Sequence, residues 1–187
     1  MLAALSLVGC AHEHVDPTLA HPELAVVRVD NPQSGSDSGF LISANGFLVT
    51  TSRLIANGAA VSVGLSDGRS LSAAFVEEDR EGGVAILKIA GDKYPFLHLR
   101  SDDIEPVMHI RVVGRAGISY GIFDHWENSG QTLSITTRAA PDDTGAPVLA
   151  DDGAVIGVVR EQSPAVGSAG LATPIWHVTR MLPAEVK

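Results

Sequence analysis

The feature that most constrains this chain is the spacing of its turn signals. From Leu24 onward, short β-branched or aromatic runs are closed by Gly, Asn, Asp or Pro at intervals of about 8–12 residues. Residues 25–29 form one such run, ended by Asn31-Pro32. Residues 40–43 and 47–50 flank Asn45-Gly46, the strongest short hairpin signal because both residues tolerate a positive φ. Residues 61–65 alternate, turn at Asp67-Gly68 and return over 71–76, and 84–89 reads as a largely buried strand. Beyond the polar stretch 101–106 come strands over 107–113, 120–123, 132–136, 147–149 and, past Asp152-Gly153, 155–159. One helix is expected, over 176–182, with Pro174 just ahead of it. The pattern predicts an all-β chain of antiparallel sheets, closed or sandwiched. The halves 24–102 and 103–187 are each the size of a small six-stranded barrel.

Composition narrows the function classes. The 187 residues carry 22 acids against 13 bases, a net charge of −9, and no basic run, which excludes a phosphate-neutralising surface and so a nucleic-acid partner. A single Cys excludes an internal disulfide framework and a cysteine-cluster metal site. That Cys sits at position 10, after the apolar run 2–9 and before the polar residues His12, Glu13, His14 and Asp16. A short apolar core ending at small residues is the pattern of an export signal. Leu7-Val8-Gly9-Cys10 resembles the bacterial lipoprotein box, which implies lipidation at Cys10 and a membrane partner through that lipid, although no Lys or Arg precedes the run. Residues 1–9 are then a signal peptide and 10–23 a polar tether. Its His12, His14 and His21 have no spacing that defines a metal site, and no metal or cofactor is expected.

Five segments carry a family resemblance. Residues 38–50 (SGFLISANGFLVT) resemble an entry hairpin of the form GSGVIISxDGYILT. Leu65-Ser66-Asp67-Gly68-Arg69 is similar to an LSDGR turn, and 84–89 (VAILKI) to an LAVLKI strand. Residues 144–149 (TGAPVL) with 152–158 (DGAVIGV) resemble SGGPLV…DGEVIGI, and 170–175 (GLATPI) resembles GFAIPS. In this order, along nearly all of 24–187, they resemble the trypsin-like serine proteases of the bacterial high-temperature-requirement branch. The resemblance implies two six-stranded antiparallel barrels, one trypsin-like domain, with a cleft between them.

It also implies where catalytic residues belong. The general base falls at Arg53, the orienting acid at Gly83 and the nucleophile at Thr144, so none of the three family residues is present. A guanidinium has no acceptor lone pair and keeps its proton, so Arg53 cannot take one from a hydroxyl. Gly83 has nothing with which to orient a base, and an unactivated Thr144 hydroxyl is a poor nucleophile. The oxyanion position implied by the family falls at Asp142, beside Asp143, where negative charge opposes a developing oxyanion. Asn128-Ser129-Gly130 reads as a turn, and His98, His109, His125 and His177 match no catalytic position. The 123–132 connection is short for an activation loop, and no peptide-binding module is expected after the barrels.

The resulting expectation is a catalytically degenerate pseudoprotease, a lipid-anchored envelope protein that binds an extended peptide or protein, or scaffolds a larger complex. An outer-membrane anchor is favoured because Ala11, not Asp, follows Cys10. An ion pair from Arg53 to Asp142 or Asp143 across the cleft is expected to bridge the barrels. The alternative is a weak serine/threonine peptidase using Thr144.

Overall fold

The computed structural model describes residues 17–55, 60–100, 104–137, 140–160 and 170–186. Twelve strands form among them. They are β1 (Val26–Asn31), β2 (Gly35–Leu41), β3 (Phe47–Thr51), β4 (Val61–Gly64), β5 (Ser70–Asp79) and β6 (Val84–Ile89), then β7 (His109–Gly114), β8 (Gly117–Glu127), β9 (Thr132–Ile135), β10 (Pro147–Ala150), β11 (Val155–Val159) and β12 (Gly170–Pro174). Short helices α1 (Pro17–Ala20) and α2 (Trp176–Thr179) flank them. The strands close into two antiparallel barrels, ordered β1-β2-β3-β6-β5-β4 and β10-β11-β12-β9-β8-β7. The double barrel expected from the resemblance is therefore present.

Each barrel closes around its own apolar filling. Phe40, Leu48, Ile86 and Leu87 are buried in the core of the first half, and Phe123, Leu133, Ile135 and Val148 in that of the second. Full burial of such a side chain is worth about 1.5–3 kcal/mol. The first core does not stop at its barrel: Val113, Leu149, Val158, Ile175 and Val178 of the second half join it. The barrels thus share a continuous apolar seam. Gly46 ends the β2–β3 connection at φ +96°, where a Cβ would stand 2.6 Å from the Ile89 carbonyl, so the Asn45-Gly46 signal is a steric requirement as well as a turn preference.

Four expectations need correction. Strands β5 and β8 run well past 71–76 and 120–123, because their outward faces carry Ser, Glu, Asp and His that mask the alternation. The strand expected from 107 begins at His109, with Val107 exposed at φ +70°. Part of the expected tether is folded: α1 and a 3₁₀ turn over Pro22–Ala25 pack on the body, and the buried Thr18 hydroxyl donates to the Phe96 carbonyl at 3.0 Å. The α-helix at the C-terminal end covers only Trp176–Thr179 of the expected 176–182. The signal segment, Cys10, His12 and His14 lie outside the described residues.

Candidate functional site

The local sequence explains how the cleft is placed. β3 carries the chain into a 3₁₀ turn, Ser52–Leu54, which presents Arg53. The β5–β6 connection ends in Gly82-Gly83, with Gly83 at φ +68° and open space where a Cβ would stand. A second 3₁₀ turn, Pro141–Asp143, leads to Thr144 just before β10. Arg53, Gly83 and Thr144 all line one cavity of about 150 Å³. The three positions implied by the resemblance are therefore brought together.

Backbone contacts fasten the two sides. The Ser38 N–H donates to the Thr144 carbonyl at 2.8 Å, and the Ser38 hydroxyl donates to the Asp142 carbonyl at 2.7 Å. At Gly145, φ +84°, a Cβ would collide with the Ser38 carbonyl, so only glycine lets the turn approach β2 this closely. Across the cleft the Thr173 hydroxyl donates to the Gly82 carbonyl at 2.6 Å.

The charged groups are arranged differently from expectation. Arg53 donates from Nη2 to Oδ1 of Asp37, not to Asp142 or Asp143. Asp37 is only 1% exposed, and its other oxygen accepts the Thr51 hydroxyl. Both partners belong to the first barrel, so this pair bridges nothing. Asp142 points outward and lies 3.5 Å from Arg115. Asp143 is buried over Gly114 and accepts the Ala140 N–H at 2.6 Å. Burial pushes its carboxyl above the ordinary value and the Asp142 charge adds to that, against the opposing pull of the Ala140 N–H and Arg115. The expected Arg53–Asp142/Asp143 bridge is thus absent, because the 3₁₀ turn uses the two carboxylates within the second barrel. Asp37 was missed, yet hairpin register held the signal. Extending the pairs Phe40↔Val49 and Leu41↔Leu48 along β2 and β3 sets Asp37 opposite Ser52, next to Arg53.

The inter-barrel ion cluster lies elsewhere, at α2. His177, 1% exposed, donates from Nδ1 to Oδ2 of Asp79 at 2.5 Å, and Arg180 donates to the same oxygen. A carboxylate only accepts, so the proton of the pair sits on Nδ1; Nε2 has no described partner. Burial alone would raise the Asp79 carboxyl, but the His177 hydrogen bond, the Gly82 N–H, the His177 charge and Arg180 together hold it below its ordinary value. Trp176 stacks on His177 at 3.7 Å and Arg180 lies over the Trp176 ring at 5.1 Å. Nothing in the sequence joins Asp79 to a histidine 98 positions away, so only the fold reveals it. Of the other candidate histidines, His21 pairs with Glu23 and His125 with Asp124 and Glu127. Among the described residues no His/Cys/Asp/Glu group could hold a metal.

Two closed six-stranded barrels meeting at a cleft, with Thr144 on one wall and Arg53 on the other, define a trypsin-like double-barrel scaffold. A trypsin-like peptidase domain model matches residues 37–158, and the chain belongs to that family. A probable periplasmic serine endoprotease, DegP-like, of Halomonas elongata is 34% identical over 118 residues, 63% of this chain and 24% of that protein. Serine protease HTRA1B of Danio rerio is 30% identical over 165 residues, 78% of this chain and 35% of that protein. These relatives place the chain in the high-temperature-requirement branch. The serine endoprotease of Yersinia pestis superposes with a TM-score of 0.74 at 21% identity, over 84% of this chain and 61% of that one, and shows the same fold. The chain spans about a quarter to a third of the length of the curated relatives it matches.

Proposed function

We propose that this chain is a pseudoprotease: a trypsin-like domain that binds or scaffolds in the bacterial envelope and does not cleave peptides. The observation that carries the reading is the occupancy of the triad positions by Arg53, Gly83 and Thr144 around one cleft. Arg53, ion-paired to Asp37, is a permanent cation where a proton acceptor is needed, and Gly83 offers no carboxylate. Loss of triad members typically costs about four to six orders of magnitude in rate. Strand addition beside the cleft needs no triad, so an extended peptide or protein is the partner the scaffold still suits. The DegP-like relatives named as periplasmic support a periplasmic setting, and Cys10 is the proposed lipidation site, with the outer membrane as destination.

Fluorophosphonate labelling and hydrolysis of a fluorogenic casein test the reading on the full chain. No labelling and no turnover above buffer is expected; labelling abolished by Thr144→Ala would establish a threonine hydrolase instead. Detergent extraction followed by native sizing separates a free binder from a subunit, which co-migrates with defined partners. Loss of membrane fractionation in Cys10→Ser tests the anchor.

A further inference from the structure

The cleft has a charge character that its loss of catalysis does not explain. In a chain of net charge −9, the cavity of about 150 Å³ has two charged lining residues, Arg53 and Arg160, and both are cations. No Asp or Glu lines it among the described residues. Asp37 accepts from Nη2 of Arg53 at 1% exposure and is shared with the Thr51 hydroxyl, and Nη1 reaches the Ser34 carbonyl at 3.4 Å, yet the Arg53 side chain is 43% exposed. Arg160, half-buried at the end of β11, donates from Nη1 to the Thr132 hydroxyl at 3.2 Å and pairs with no described carboxylate. A guanidinium has five N–H donors in a fork that fits a planar carboxylate. Gly83 adds open space in place of an acidic side chain, so both the volume and the negative charge of a triad acid are missing.

We propose that this cleft is a carboxylate-binding site, in which Arg160 and Arg53 take the acidic side chain or the terminal carboxylate of a bound peptide. The proposal rests on the peptide-binding reading above and gives it a ligand chemistry. Two guanidiniums around one carboxylate in a partly desolvated cleft form charge-assisted hydrogen bonds, the strong class of such bonds. Arg160 is the cleaner probe, because Arg53 also neutralises the buried Asp37.

The test is calorimetric titration of the full chain with four alanine-based pentapeptides. One is capped at both ends with a central Glu, one is its Gln twin, one has a free C-terminus, and one is its C-terminal amide. The carboxylate member of at least one pair should bind about tenfold tighter than its neutral twin, and Arg160→Gln should erase that margin while leaving the neutral peptide unchanged. The pair that shows the margin identifies side-chain or terminal recognition. Arg160→Lys should recover only part of it, since an ammonium lacks the fork. Equal binding of acidic and neutral peptides overturns the carboxylate site and leaves the peptide-binding reading standing. A margin that survives Arg160→Gln in a chain with unchanged circular dichroism overturns the assignment to this cleft. Binding of none of the four overturns both.

Discussion

Two buried aspartates, Asp37 and Asp79, each pair with an arginine, and the two clusters differ in what they hold together. Asp37 and Arg53 are neighbours on one hairpin, and the cation is 43% exposed. Asp79, His177 and Arg180 join the end of β5 to α2, across the seam between the barrels, with His177 and Asp79 both buried. Residue type gives no hint of this division of labour. Arg53 and the acids 142 and 143 look like a bridge by family position, yet the bridge is made by residues that match no motif. The cleft gathers Arg53, Gly83 and Thr144 beside the tight Gly145 turn, while the charge that joins β5 to α2 has its place beside Gly82. Position in a motif constrains the backbone; only packing decides what a charge does.

The contrast is most exposed to test at Asp79. Asp79→Ala removes the one carboxylate that His177 and Arg180 share and leaves buried His177 without its acceptor. Breaking a buried pair from one side typically costs about 3–5 kcal/mol. A drop in the urea midpoint equal to that loss divided by the slope is expected, with the slope unchanged if unfolding stays two-state. Should Asp79→Ala cost no more than Arg53→Ala, the two clusters would be energetically alike and the comparison would fail.

A smaller effect, about 1–3 kcal/mol, is expected for Gly82→Ala. The new Cβ would stand 2.5 Å from Nδ1 of His177 and force the imidazole away from Asp79. Because both substitutions break one contact, the double variant with Asp79→Ala should lose less than the two separate losses combined. Strict additivity would show that Gly82 acts through something other than the clasp.

Arg53→Ala comes next, at about 1 kcal/mol. It leaves buried Asp37 with the Thr51 hydroxyl and with water that the half-exposed guanidinium position admits. The loss should shrink in high salt, whereas the Asp79 effect, being buried, should hardly respond.

How far the sequence alone reveals this molecule follows the same line. Strands whose inner faces are continuous apolar runs, such as 84–89 and 155–159, are legible because hydrophobic periodicity is a local property. The exposed ends of β5 and β8 are not, since polar outward faces and the shifts near Phe75 and Phe123 break the period. That Arg53, Gly83 and Thr144 gather at one cavity could be anticipated, because motif order and the observed strands agree on where these turns fall. The partners of Arg53 could not, because two acids adjacent in a motif compete with one acid adjacent in a hairpin, and only register and turn geometry choose between them. The His177–Asp79 clasp leaves no local trace at all. Its two halves are ordinary polar residues until the barrels close.

The smallest effect separates two buried carboxylates whose environments push in opposite directions. Asp79 titrates below the ordinary Asp value of 3.8 when folded, so its contribution is full above the unfolded value and lost as pH falls through the folded one. Asp143 titrates above 3.8, so the fold favours its protonated form; its contribution is full below the unfolded value and lost as pH rises through the folded one. Asp143→Asn keeps an oxygen to accept the Ala140 N–H but carries no charge to desolvate. At neutral pH the variant should therefore equal the parent or exceed it by less than about 1 kcal/mol, and the gain should vanish on acidification. Urea midpoints measured from about pH 3 to 8 read both signs in one series. With Asp143 neutralised, the remaining acid-side loss should be dominated by the Asp79 clasp and disappear in Asp79→Asn. A neutral-pH loss in Asp143→Asn would instead mean that the ionised Asp143 is held favourably by Arg115 and the Ala140 N–H, and that burial does not govern its charge.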